Sequence, residues 1–291
     1  MLLSWLCGAL LILLVGGWVV LNLKSRGRYR HFSRLPMEGL RLKKLTPPLL
    51  FILEQSKMTT RAPILFFRIQ RSVQKIYGLR HSAEMSLMFM AECLAYSWLI
   101  LIGGCIFSLG TSDPIGLMGG AFLSILLPVS MVKDLSKKVL LRDQDIVMEL
   151  PELLNKMILL VGAGENVQKA IVHCVGRKSE DKHPLYVELR KMVGDWEGGH
   201  SFQQAFEQFS KRCAVQEVSI FTTTVLLNFR RGGNDFVLAL RDLSRVLWEK
   251  RKAIARTRGE QASSKLVFPM VVIFMVVIVL VGAPAFMMMN M

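Results

Sequence analysis

The sequence predicts an all-α membrane protein with four transmembrane helices and one cytoplasmic six-helix bundle between spans three and four. Three observations carry that reading. Apolarity and charge are both high but kept apart: 52% of the 291 residues are hydrophobic and the net charge is +15, yet four long stretches hold almost no charge. All basic residues fall in two segments, 14 of the 37 Lys and Arg within residues 24–80 and 23 within residues 133–265. Three stretches also repeat one plan, Gly-x-x-apolar-x-x-Ala-apolar, with Gly164, Gly199 and Gly233 recurring at a nearly constant interval.

Residues 1–23 form the first span. No Lys or Arg precedes the apolar run, the run exceeds the usual length of a signal-peptide core, and no clear small-x-small site follows it, so a retained anchor is favoured over a cleaved leader. Residues 24–84 form a basic juxtamembrane region, with Pro36, Pro47, Pro48 and Pro63 cutting it into short pieces. After Pro63, "ILFFRIQRSVQKIYGLR" interleaves apolar and basic residues, as suits a helix resting on the inner leaflet. Membrane lipids are therefore partners, each cation near anionic lipid adding about 1 kcal/mol of attraction. Nucleic acid is the other ligand such charge suggests; tethering between spans and the prolines argue against it.

Residues 85–110 and 115–132 are spans two and three, and 266–289 is span four, each near the ~20 apolar residues needed to cross a bilayer. Glu92 is the one intrusion, placed at the membrane surface where span two begins. Gly104 with Ser108, and Gly116 with Gly120, have the small-xxx-small spacing of closely packed membrane helices. Loops rich in Lys and Arg stay cytoplasmic, so both termini are expected outside a multi-pass protein of the cell (inner) membrane. The five cysteines are scattered without Cys-x-x-Cys spacing and read as free thiols.

Residues 133–265 read as six helices, at about 136–162, 166–176, 183–197, 201–212, 215–231 and 235–264. The repeated glycines are helix stops, and Asn166, Ser201 and Asp235 are N-caps of the helices that follow. Val167 and Ala170, Phe202 and Ala205, and Phe236 and Ala239 then share a packing face, the alanine allowing close approach. A tetratricopeptide-type solenoid has a similar period. Its fixed Trp, Tyr and Pro positions are missing, and three units leave little room for caps.

The chain carries no motif for catalysis or for a cofactor. A phosphate loop, a His-Glu-x-x-His pair and a nucleophile elbow are all missing, and "GAGENV" fails the dinucleotide fingerprint at its third glycine. Asp195, Glu197 and His200 lie close enough to suggest a metal, although a polar interhelix turn explains them as well. An intramembrane peptidase would need paired intramembrane aspartates, and Asp113, in the outer link between spans two and three, makes no such pair. A transporter or channel accessory subunit is the alternative function; the scarcity of polar span residues disfavours it.

The stretch "ELPELLNKMILLVGAGENVQKAI" (149–171), including Pro151, resembles the opening of the type II secretion F domain. "RGGNDFVLALRDLSRVLWEKRKAIARTRGEQASSKLVFPMVVIF" (231–274) resembles its end. Trp248, Arg251, Glu260, Lys265, Pro269 and Pro284 resemble the tight-adherence (Tad, or Flp) pilus branch, TadC-like proteins in particular. The resemblance implies a non-enzymatic inner-membrane platform that couples a cytoplasmic secretion ATPase to prepilin insertion. It also implies a second F-domain platform subunit (TadB-like), and hence a homo- or hetero-oligomer.

Overall fold

The computed structural model describes residues 2–25, 46–55, 63–78, 82–111, 115–178, 180–229 and 233–289, and every regular element among them is a helix. In chain order these are α1 (Leu2–Ser25), α2 (Thr46–Gln55), α3 (Pro63–Tyr77), α4 (Ser82–Thr111), α5 (Ile115–Gly162), α6 (Val167–Gly176), α7 (Pro184–Glu197), α8 (Phe202–Cys213), α9 (Gln216–Phe229) and α10 (Gly233–Met289). They divide into two units, Met1–Arg142 and Asp143–Met291.

In the first unit, proline opens helices instead of only interrupting the chain. Pro47 and Pro48 lie in the first turn of α2 and Pro63 is the first residue of α3. A missing N–H is harmless at those positions, because the first-turn donors have no intrahelical partner. α3 ends at Gly78, whose φ of +92° suits a glycine stop and whose N–H donates to the Gln74 carbonyl at 2.9 Å. Ile69 and Val73 of α3 join Leu49, Leu50 and Leu53 of α2, Met85, Met88, Ala91 and Ala95 of α4, and Leu135 of α5 in one small core. The apolar face of α3 is thus spent on protein, and the inner-leaflet reading is corrected to that extent: Phe67, Arg68 and Arg71 are the face left exposed.

The same core accounts for Glu92. The first turns of α4 pack beneath α2 and α3, and Glu92 is only 3% exposed there. Trp18 of α1 stacks on Trp98 at 5.6 Å, and Lys24 lies 5.6 Å from the ring of Phe51 on α2. Since α2 covers the start of α4, α1 and α4 run antiparallel, and Lys24 and Glu92, each six residues from its tryptophan, fall at one level. Further along α4, Ser97 Oγ donates to the Ser124 carbonyl at 2.8 Å. A Cβ built on Gly104 would lie 2.8 Å from the Gly120 Cα, and one on Gly116 would lie 2.8 Å from the Ser108 nitrogen. All four small residues meet along one seam, with the backbones themselves in contact.

Among the described residues, three helices are long and apolar enough to cross a membrane, with apolar windows in Ser82–Thr111, Ile115–Gly162 and Asp235–Gly282; α1 offers a shorter stretch, Leu11–Lys24. Two boundaries differ from the sequence expectation. α5 runs from the third span to Gly162 without a break near 133–136, because "VKDLSKKVLLRDQD" holds neither glycine nor proline and an i,i+4 pair, Asp134–Lys138 at 2.9 Å, supports it. α10 likewise passes Gly259 and Pro269 unbroken. A membrane helix tolerates such residues where its surroundings compensate the freed carbonyl.

Candidate functional site

The second unit has no cleft lined with catalytic groups among its described residues; its features are a packed core, glycine turns between helices and a set of ionic clamps. Ile146, Leu150, Leu153, Leu154 and Met157 of α5 form the central stripe, at the i, i+3, i+4 spacing of a helix face. Residues of every later helix join it in one buried core, with Tyr186, Phe206, Phe209, Phe221 and Phe236 among the fully buried side chains. Pro151 is buried within that stripe.

The first turn follows Gly162. Gly164 has φ +95°, Glu165 N–H reaches back to the Leu160 carbonyl at 3.0 Å, and Asn166 Oδ1 accepts from Gln168 N at 3.1 Å as the N-cap of α6. The turn after α7 repeats the device. Gly199 has φ +102°, and Ser201 and Gln204 form a reciprocal capping box of 3.2 Å bonds. The third differs. Gly233 is the first residue of α10 and lies in the helix, and residues 230–232 fall outside the described residues. Asp235, expected as an N-cap, lies in the first helical turn, where its charge complements the positive end of the helix dipole.

Ala170 and Ala205 are buried, at 0% and 1% exposure, with Val167 and Phe202 partly buried against the same core. Phe202 has aromatic neighbours on three sides, stacked on Phe229 at 4.5 Å, tilted against Phe206 at 4.7 Å and edge-on to Trp196 at 5.5 Å. Phe236 is buried, but Ala239 lines an open groove between α9 and α10. In α10 the core stripe is Phe236, Leu240, Leu243 and Leu247, and Ala239 is its shoulder. The exposed ridge of α9, Ile220, Thr223 and Leu227, stands between this groove and a second one beside α8.

A set of clamps ties the helices and their connections together. Glu149 on α5 receives the Lys178 ammonium at 2.6 Å, and Lys178 also lies 4.5 Å from the ring of Tyr186. Burial opposes the charge on Lys178, but the Glu149 hydrogen bond overrides it and holds the ammonium above the usual lysine range. Burial, and then the Glu149 carboxylate, push the Tyr186 phenol up. Arg190 donates to the Lys178 and Asp181 carbonyls at 2.8 and 2.7 Å, closing the loop before α7. Arg212 on α8 bridges Glu188 at 3.0 Å and Asp195 at 2.8 Å on α7. Glu217 pairs with Lys250, and Arg258 bonds both Gln144 and Asp145 at 2.9 Å. Ser244 adds a 2.8 Å bond to Asn155.

Asp195 is therefore engaged by Arg212, and His200 Nδ1 lies 3.0 Å from the Asp195 carbonyl, so this cluster is a polar turn. Cys93, Cys105, Cys174 and Cys213 are buried and outside any disulfide, and burial raises the Cys174 thiol above its ordinary range. The Lys178 and Arg212 clamps were not singled out from sequence: their partners lie 29, 24 and 17 residues away, on other helices. The Arg251 guanidinium lies over the Trp248 ring at 4.9 Å, joining two of the motif residues. Glu260 pairs with Arg256 at 3.1 Å, Lys265 and Pro269 are exposed on α10, and Pro284 lies in the same helix.

Neither a curated protein nor a solved structure gives a significant match to the chain. One family model does, described as "Type II secretion system (T2SS), protein F", over residues 153–284. The matched stretch begins in the central stripe of α5 and ends near the close of α10, taking in the Gly164 and Gly199 turns and a helix long and apolar enough to cross a membrane. Residues 153–284, a little under half of the chain, thus match the type II secretion system protein F family.

Proposed function

We propose that the protein is an assembly-platform subunit of a tight-adherence (Tad/Flp) type pilus or type II secretion-like machine. It couples a cytoplasmic secretion ATPase to the insertion of prepilin. The observation that carries the reading is the construction of α10. Its first half is fixed to the core by Phe236, Leu240, Leu243 and Leu247 and by the Lys250 and Arg258 clamps. The same helix then continues unbroken into an apolar run where every described residue from 259 to 281 is exposed. A displacement imposed on the packed unit reaches the membrane through that helix.

The proposed topology has four spans, α1 included, with both termini outside and the two basic regions in the cytoplasm. Residues 133–265 form the cytoplasmic domain of that arrangement. The exposed apolar stretch of α10 takes its neighbours from lipid, from a second F-domain subunit or from the prepilin. The glycine turns and clamps are mechanical parts, and the energy comes from the ATPase.

Affinity capture of the tagged, full-length protein from detergent-solubilised membranes of its own host tests this reading. A secretion ATPase and a second F-domain protein are expected in the eluate. Recovery of neither would sink the platform reading.

A further inference from the structure

We infer that α3 and α5 build a binding site for the phosphate headgroup of an anionic phospholipid. The site is a shallow pocket of about 370 Å³ lined by Phe67, Arg68, Arg71, Ser72 and Lys75 of α3 and by Val139 of α5. Three cations, a hydroxyl and an exposed aromatic ring line one opening. Arg68 and Arg71 make no ion pair among the described residues, and both are exposed. Two such guanidinium groups, one turn apart, are complementary to a ligand with concentrated negative charge and several acceptor oxygens, which is the chemistry of a phosphodiester.

Height selects lipid over a soluble phosphate. Ile69 and Val73, on the opposite face of α3, pack with Leu135 and Val132, where α5 leaves its apolar run. Val139 lies seven residues past Val132, about 10 Å further along the helix. The headgroup layer extends roughly 5–7 Å beyond the hydrocarbon on each side. Long Arg and Lys side chains reach across such a gap, their stems on apolar surface and their charges among the phosphates. Phe67, 66% exposed on the rim, offers an apolar ring at the headgroup level, as the apolar side chains of interfacial helices do. Lys24 and Glu92, level with each other below the Trp18–Trp98 pair, set the same boundary on the neighbouring helices. The site depends on this membrane placement and not on the platform reading.

The test is native mass spectrometry of the full-length protein in mild detergent with equimolar dioleoyl-phosphatidylglycerol and dioleoyl-phosphatidylcholine. The wild type is expected to retain phosphatidylglycerol preferentially, with the preference falling as sodium chloride is raised. Arg68→Gln with Arg71→Gln should reduce it by about fivefold per arginine, and Arg68→Lys with Arg71→Lys should keep most of it. Lys169→Gln with Lys182→Gln, the same charge change elsewhere, should leave it intact. A wild type without preference, an equal loss in the control pair, or displacement by excess inorganic phosphate or by a single-stranded oligonucleotide would each overturn the inference. Should the Gln pair fail to fold, the salt dependence and the Lys pair still decide.

Discussion

Gly199 and Gly164 hold the left-handed backbone at the ends of α7 and α5, with φ of +102° and +95°. No atom lies within 4 Å of a Cβ built at either position. What reserves these sites for glycine is therefore conformation, not space. Gly194 poses the opposite case: it lies inside α7, with open space around its Cβ position. Gly199→Val is expected to destabilise the unit by about 1–2 kcal/mol, since a β-branched residue is strained at positive φ. Gly194→Ala is expected to stabilise it by about 0.5–1 kcal/mol, because alanine loses less entropy in a helix interior. Thiol labelling of the buried Cys174 and Cys213 during thermal unfolding of the full-length protein reads both. Two shifts of the same sign would contradict the backbone assignment. Gly233 is helical, so the three-fold repeat in the sequence covers two glycine stops and one helix start.

At the scale of elements, the α4–α5 seam is a close contact, where Gly104 and Gly120 touch backbone to backbone. Their neighbours in sequence, Gly103 and Gly119, meet nothing within 4 Å. Gly104→Ala and Gly120→Ala should therefore force the helices apart and lower the unfolding temperature of the detergent-solubilised protein by several degrees. Gly103→Ala and Gly119→Ala should leave it unchanged or slightly higher. Equal effects from all four would mean that the seam is not formed. This hairpin was legible in the sequence because hydropathy marks its two apolar runs and small-xxx-small spacing marks the contact face. The Asn166 and Ser201 caps were legible because their signals are local, within three residues. α2 was not, since "TPPLLFILEQ" opens with two prolines and too few apolar turns to show a period. Nor was the packing of α3, whose spacing marks an apolar face without saying whether protein or lipid covers it. The ionic clamps escaped for a different reason: charge pairing between helices depends on register, which no local pattern encodes.

At the scale of the molecule, transmission along α10 requires stiffness between Arg258, the last clamp to α5, and the exposed apolar run beyond Lys265. The intervening residues, 259–265, are all exposed, so helix continuity alone connects the two parts. A Gly-Ser-Gly-Gly insertion after Ala262 would break that continuity, leaving the core, the clamps and the apolar run as they are. The proposed function predicts that this variant accumulates in the membrane and still captures the secretion ATPase, yet assembles no fibre. A seven-residue helical insertion at the same point, Ala-Glu-Ala-Ala-Ala-Lys-Ala, lengthens the connection by about 10 Å but turns it by nearly two full turns, so the span keeps its facing. It should retain more assembly than the flexible insertion despite being longer. Fibre counts by electron microscopy, set against membrane level and ATPase recovery for both variants, separate stiffness from length. Normal assembly with the flexible insertion would show that α10 is only an anchor and that the force passes elsewhere.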